Sequence, residues 1–241
     1  MAANQVVPES EQQIAAMFDR IAPRYDLLNK VLSGRQDVRW RKFLVEWLRP
    51  AAGGRLLDVA TGTGDVIAAI IQAGRDFAEY WGVDISKEML RCAGPKLAAI
   101  GQGKSLHFEQ MSAESLKFPD AHFSATTISF GLRNVVNREA AIREFARVLR
   151  PDGQLLILEF FTPPQGLLSR LFSFYFYRIL PTIGGLLSDR TAYKYLPNSV
   201  AGFYSFGELL AVLDRNGFQV GRTKKFLFGW CCLIEAVRKP R

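Results

Sequence analysis

Apolar positions follow two alternating rhythms along this chain of 241 residues. Helical spacing covers Glu9 to Ile21 and Asp37 to Leu48, and Pro50-Ala51-Ala52-Gly53-Gly54 ends this opening stretch. Short apolar runs bounded by turn residues then predict strands at Arg55 to Ala60, Tyr80 to Asp84, Leu106 to Gln110, Ser124 to Phe130 and Gln154 to Phe160. Helical patterns at Asp65 to Ala73, Lys87 to Ala99 and Arg138 to Leu149 lie between them, the last closed by Pro151-Asp152-Gly153. A helical insertion from about Gln165 to Leu187 and a helix at Ser205 to Asn216 follow. The segments Gln219 to Leu227 and Trp230 to Val237 flank Phe228-Gly229 as a terminal hairpin.

Strands alternating with helices at this spacing predict an α/β fold, a parallel sheet with helices on both faces that binds ligands at the carboxyl ends of its strands. No internal repeat interrupts the order, so 1–241 reads as a single domain. Its parts are a helical cap over 1–54, a core over 55–160, a helical insertion and substrate side over 161–217, and a hairpin over 218–241.

Charge is unevenly placed. Residues 1–49 carry 8 basic and 6 acidic side chains, 50–160 carry 12 and 13, and 161–241 carry 11 and 4, for a net charge of +8. The basic excess at the C-terminal end faces nucleic acid, an anionic membrane surface, or only water. The start of the chain lacks the regions of a signal peptide, and no apolar run is long enough for a span, so a cytoplasmic location is expected. Cys92, Cys231 and Cys232 have no metal-ligand spacing and are expected as reduced thiols, with no metal.

The run Leu56-Leu57-Asp58-Val59-Ala60-Thr61-Gly62-Thr63-Gly64-Asp65 carries the chemistry. It sets a glycine turn between strand and helix, where Gly62 and Gly64 permit a sharp bend and close approach to a ligand. Asp84 ends the next strand 20 residues after Gly64, the offset at which a carboxylate holds a ribose diol. The third glycine of a dinucleotide fingerprint would fall at Ile67. Asp65 would repel a pyrophosphate, but accept from an ammonium or stabilise a sulfonium, which favours S-adenosylmethionine over a dinucleotide.

Three further runs complete a resemblance. They are Phe18-Asp19-Arg20-Ile21-Ala22-Pro23-Arg24-Tyr25-Asp26-Leu27-Leu28-Asn29, Ile128-Ser129-Phe130-Gly131-Leu132-Arg133-Asn134, and Arg147-Val148-Leu149-Arg150-Pro151-Asp152-Gly153. Over nearly its whole length the chain resembles the UbiE/MenG family of quinone-biosynthesis C-methyltransferases. The resemblance implies a class I S-adenosylmethionine-dependent methyltransferase: a Rossmann-like seven-stranded sheet with an antiparallel C-terminal hairpin, plus the N-terminal helical cap and a helical insertion. It places cofactor contacts on Thr63, Asp84, Ser112, Ala113 and Ser129, with Asp84 on the ribose and Ser112-Ala113 at the adenine. After Ser33 the family tends to read x-Gly-x-His/Asp-Arg-x-Trp; here Asp37 and Trp40 stay in register, while the glycine and first arginine positions differ. The departure bears on substrate preference.

The implied reaction methylates a ring carbon of demethylmenaquinol, with a benzoquinol, another small molecule, or a non-catalytic role in a quinone-synthesis complex as alternatives. Ring attack requires a hydroxyl to ionise and its charge to be stabilised. Arg133 and Asn134 are expected to stabilise or orient the phenolate, Tyr25 to close over the methyl group, and Asp26 or Asp37 to accept a proton. A structural ion pair for Arg133 and a packing role for Tyr25 stand as the plainer readings, and structural roles are expected for His107 and His122. Nucleic acid is not expected as a partner, because the basic segment lacks a stacking pattern. The stretch Leu167 to Leu180, rich in aromatics with Arg170 and Arg178 as its only charges, suits a bilayer interface, a prenyl tail, a buried helix or a homodimer contact.

Overall fold

The computed structural model describes residues 10–51, 53–162, 173–174, 178 and 190–240. Ser10 caps helix α1 (Glu11–Ile21) in a reciprocal box: its hydroxyl accepts the Gln13 N–H, and the Gln13 side chain accepts the Ser10 N–H. A 3-10 turn over Ala22–Arg24 leads into α2 (Tyr25–Leu32), and α3 (Gln36–Trp47) follows Arg35 in left-handed backbone. The hydrophobic pattern did not announce α2. It is only 8 residues long, and it buries Leu28 while leaving Leu27 and Val31 in solvent, so it has no sustained apolar stripe to read.

The core runs β1 (Arg55–Val59), α4 (Asp65–Gln72), β2 (Glu79–Asp84), α5 (Lys87–Ile100), β3 (Ser105–Gln110), β4 (Phe123–Ser129), α6 (Arg138–Val148) and β5 (Leu149–Phe160). After α7 (Arg190–Ala201) and α8 (Phe206–Arg215), β6 (Phe218–Phe226) and β7 (Cys231–Arg238) complete a seven-stranded sheet ordered β3-β2-β1-β4-β5-β7-β6. The pairs from β3 through β5 are parallel, while β7 runs antiparallel to both β5 and β6. The α/β reading and the terminal hairpin are thus borne out. Alternation along β1 sends Leu56 into the core on one face and Leu57 into the core on the other, which is why helices cover both.

Most boundaries lie within two residues of the expected ones, and the largest shift is at the start of β5. The helix expected to reach Leu149 ends at Val148, and β5 begins at Leu149 instead of Gln154. Leu149 pairs with Phe123, and the register then shifts so that Gln154 pairs with Ala125. Pro151-Asp152-Gly153 is therefore a bulge inside a strand, with Asp152 at φ 61°, and not a loop between elements. The aromatic stretch Leu167–Leu180 lies outside the described residues except for 173, 174 and 178. Among the described residues, no helix is long and apolar enough to cross a membrane.

The strand order reverses between β1 and β4, since β1 leads outward to β2 and β3 whereas β4 leads the other way to β5. A crevice opens at the carboxyl ends of such a pair.

Candidate active site

Both strands at the reversal end in left-handed backbone, Ala60 at φ 52° and Phe130 at φ 56°. L-residues adopt this region at a cost of about 1–3 kcal/mol each, and such strain gathers at functional sites. Gly131 lets the two ends meet, because a Cβ there would stand 2.5 Å from the Ala60 Cβ. The two glycines of the turn serve different needs. Gly64, at φ 78°, starts α4, and a Cβ on it would lie 2.4 Å from Leu97 Cδ1. Gly62, at φ 56°, faces open space, with Tyr25 Cε1 the nearest atom at 4.0 Å. Below the turn, Asp58 accepts the Thr61 hydroxyl at 2.7 Å and the Thr127 hydroxyl at 2.6 Å, which ties the turn to β1 and β4. Burial pushes the Asp58 carboxyl up to about 6, against the pull of those two hydroxyls.

Two cavities of about 70 and 380 Å³ open at the crevice, and Tyr25, Ala60, Gly62, Ser129 and Phe130 line both. The smaller is also lined by Asp84, Met89, Ser112, Ala113 and Asn134, with Glu11 and Phe18 from the cap. Asp84 is aimed by backbone: Gly62 N–H donates to Oδ2 and Ser86 N–H to Oδ1, each at 2.8 Å. Burial raises its carboxyl to about 6, and these backbone donors oppose the rise. These backbone donors leave further acceptor capacity on the carboxylate for a diol. The Ser112 hydroxyl donates to Glu11 at 2.6 Å, so α1 closes the far end of this cavity. Ser129 Oγ and Asn134 Oδ1 are buried without a hydrogen-bond partner. Buried polar atoms are seldom left so, and here both line the smaller cavity.

The larger cavity lies under the cap. Trp40, Phe130 and Phe160 give it an aromatic wall, with ring centroids 4.8 to 6.1 Å apart. Tyr25 sits between the two cavities, its ring edge-on to Phe18 at 6.3 Å. Desolvation raises the Tyr25 pKa above its ordinary 10, offset in part by a hydrogen bond with Asn29, so the phenol stays protonated at neutral pH. Asp37 accepts the Ser33 hydroxyl at 2.6 Å and the Arg41 guanidinium at 3.1 Å. Arg41 also pairs with Asp65 at 3.0 Å, and Asp65 pairs with Lys96 as well. These two cations hold the Asp65 carboxyl below the usual range despite its burial.

The geometry revises several expectations. Asp26 lines neither cavity: it accepts the Thr63 hydroxyl at 2.5 Å and Lys96 at 2.8 Å, so it ties α2 to the glycine turn and α5 instead of meeting an acceptor. Thr63 and Asp65 line the larger cavity and not the smaller, and the charge of Asp65 is already met by Arg41 and Lys96. Arg133 lines the larger cavity, but is paired with the fully buried Glu159 at 2.6 Å. Its guanidinium also donates to Phe130 O at 2.6 Å and to Ser199 at 3.3 Å. The plainer ion-pair reading of Arg133 is thus present in the structure, beside the cavity it was expected to serve. Asn134 faces the smaller cavity. His107 stacks on Trp81 at 4.3 Å and His122 on Phe118 at 6.1 Å, away from both cavities.

The sequence reading passed over Glu11, Arg41, Lys96 and Glu159. Only Arg41 left a local signal, since Asp37 and Arg41 are four apart and so fall on one face of the same helix. The others meet the site through contacts more than 25 residues apart in sequence.

Comparison with known proteins gives the family and the fold. Residues 6–238 match the ubiE/COQ5 methyltransferase family. The chain is 47% identical to the ubiquinone/menaquinone biosynthesis C-methyltransferase UbiE of Syntrophotalea carbinolica, over 94% of each chain. It is 44% identical to the demethylmenaquinone methyltransferase of Thermus thermophilus, over 88% of this chain and 96% of that one. Among solved structures, it superposes on a SAM-dependent methyltransferase from Aquifex aeolicus with a TM-score of 0.61 at 18% identity, covering 95% and 99% of the two chains, a likeness of fold.

Proposed function

Because the chain belongs to the ubiE/COQ5 methyltransferase family, it is an S-adenosylmethionine-dependent C-methyltransferase, and we propose that it methylates the ring of demethylmenaquinol in quinone biosynthesis. The observation that carries this reading is the pair of cavities joined at Tyr25, Gly62 and Ser129, one holding Asp84 with Ser112 and Asn134, the other walled by Trp40, Phe130 and Phe160 with charged groups at its side. A benzoquinol is the second reading, favoured by the double name of the Syntrophotalea relative.

The smaller cavity suits S-adenosylmethionine. Asp84 would hold the ribose hydroxyls, Ser112 and Ala113 would flank the adenine, and Gly62 would let the backbone approach. The unpartnered Ser129 Oγ and Asn134 Oδ1 offer a donor and an acceptor for the carboxylate and ammonium of the methionine moiety. When bound, the sulfonium supplies an electrophilic methyl group. The protein's part is to align the ring carbon with it and exclude water. The aromatic wall of Trp40, Phe130 and Phe160 would pack the fused ring, and Tyr25 would separate it from the cofactor except at the point of transfer.

A cytoplasmic enzyme working at the membrane surface fits the mouth of the larger cavity. Val31 and Leu227 line it, and Leu27, Val31, Val38 and Phe228 are large apolar residues left in solvent. Lys30, Arg35, Arg39 and Lys42 are exposed on or beside the same two helices. Apolar tips among cations suit an anionic bilayer from which a prenyl tail is drawn.

The test is incubation with labelled S-adenosylmethionine and reduced short-tail demethylmenaquinol or a demethoxy-type benzoquinol, with methylated product followed by mass. Transfer to the naphthoquinol is expected, and faster from anionic vesicles than from neutral ones. Transfer to the benzoquinol alone would reverse the choice of ring, and no transfer with cofactor binding intact would refute the reading.

A further inference from the structure

We propose that Asp37 is the proton acceptor for the ring hydroxyl of the quinol, an inference that rests on the quinol reading of the larger cavity. Among the described residues, the carboxylates lining that cavity are Asp37 and Asp65. Asp65 is bridged by two cations, Arg41 and Lys96, and a doubly paired carboxylate is a weak base. Asp26, the other acid of the cap near the turn, is occupied by Thr63 and Lys96 outside the cavity. The Arg133 guanidinium offers donors and no acceptor, and the Tyr25 phenol is itself a donor.

Asp37 is built for the task. It is 6% exposed, at the start of α3, and faces the same cavity as Trp40 one turn further on. Ser33 occupies one lone-pair direction of Oδ1 and Arg41 one of Oδ2, which leaves acceptor capacity on both oxygens. The two contacts come from Ser33 at the end of α2 and from Arg41 one turn along α3, so the carboxylate is fixed by its near neighbours before any ligand arrives. Arg41 pairs with Asp65 as well as with Asp37. When Asp37 takes a proton, the guanidinium keeps a counterion, so neither protonation state leaves a buried charge alone.

The step balances. The hydroxyl O–H breaks and its proton passes to Asp37 Oδ, while the electron pair stays on the ring oxygen and is delocalised to the ring carbon. That carbon forms the new bond to the methyl group as the C–S bond breaks and its pair leaves on sulfur. The proton on the methylated ring carbon then departs to solvent as Asp37 returns its own to the ring oxygen, which restores the quinol with one proton released overall.

The test uses Asp37→Asn, which keeps the size of the side chain, with Asp37→Glu as a second variant should the first fail to fold. Expected is a fall in kcat of about 100-fold, with KM for the quinol and Kd for S-adenosylmethionine changed less than threefold. Asp37→His, which restores a base, should recover at least tenfold of the loss. A second readout needs no cofactor. 2-Naphthol bound in the larger cavity is a photoacid: beside a carboxylate its excited state emits as naphtholate, and without one as the neutral naphthol. Naphtholate emission from the wild type that vanishes in Asp37→Asn would support the assignment. A kcat within threefold of wild type, or unchanged emission, would overturn it. If the wild type methylates no quinol, the functional reading fails while the emission still decides whether Asp37 accepts a phenolic proton.

Discussion

The two halves of the site are held together in different ways. In the smaller cavity the main chain does the holding: Asp84 is aimed by the Gly62 and Ser86 N–H groups, and the turn is set by backbone angles at Ala60, Gly62 and Gly64. Around the larger cavity side chains hold one another across long intervals of sequence, through Arg133 with Glu159, Arg41 with Asp65, and Lys96 with Asp26. Backbone donors cannot be mutated away, whereas each ion pair breaks with one substitution. Changes on the cofactor side should therefore register mainly in binding, and changes on the acceptor side in stability as well.

The largest effect expected from this contrast is at Arg133. Arg133→Ala strands Glu159, which is 0% exposed, and losing one partner of a buried pair costs about 3–5 kcal/mol. Denaturant unfolding should show that loss, and Arg133→Ala combined with Glu159→Gln should recover more than half of it. A single variant within about 1 kcal/mol of wild type would mean that the pair is not what fixes this wall. Reduced turnover in Arg133→Ala alone would not identify a catalytic role, because the wall itself moves.

The same contrast explains what could be read from sequence. Gly62, Gly64 and Asp84 were legible because strand, turn and acid lie within one short segment whose spacing is imposed by a strand-to-helix turn. The sheet was legible because its strands are apolar runs separated by helical patterns, and β5 was misjudged only where a bulge holds Pro151 inside the strand. The ties of Asp26 were not legible because its partners, Thr63 and Lys96, are 37 and 70 residues away. Nothing in the spacing of Tyr25-Asp26 reveals that the acid turns toward the glycine turn while the phenol turns toward the cavities. Glu159 looked like any polar residue in an apolar strand until its partner was known.

A smaller effect separates stability from affinity on the cofactor side. Burial raises Asp84 and Asp58 from 3.8 to about 6, so the folded protein favours their neutral forms. The stability they contribute is full below about pH 4 and is lost as pH rises through about 6, a change of roughly 3 kcal/mol for each. Asp65 and Glu144, whose values are lowered, lose their contribution only as pH falls through the ordinary carboxylate range. His122, whose pKa burial lowers, acts weakly in the opposite sense. The ligand-free Tm should therefore rise between pH 7.5 and pH 5, while affinity for S-adenosylmethionine falls, since a protonated Asp84 accepts less well from the ribose. Asp84→Asn should flatten part of the Tm rise and weaken binding at every pH. Calorimetry that found stability and affinity moving together would contradict this account of Asp84.

The smallest effect lies on the acceptor side, at Lys96, where two half-exposed ion pairs join α5 to the cap and to the start of α4. Exposed and half-exposed pairs are worth about 1 kcal/mol or less, so Lys96→Met should barely change Tm. After its loss, Asp26 keeps Thr63 and Asp65 keeps Arg41, so the acids stay in place but the cap is held by fewer ties. KM for the quinol should rise two- to threefold, on the order expected from a tie of this strength, while Kd for S-adenosylmethionine stays unchanged. Salt should mimic the substitution, because screening acts within about 8–10 Å at ordinary ionic strength. The quinol KM of the wild type should then climb with sodium chloride toward that of Lys96→Met, and the variant should respond less. Equal salt responses in the two proteins would place the origin of cap closure in the packing of Trp40 and Tyr25 and not in these charges.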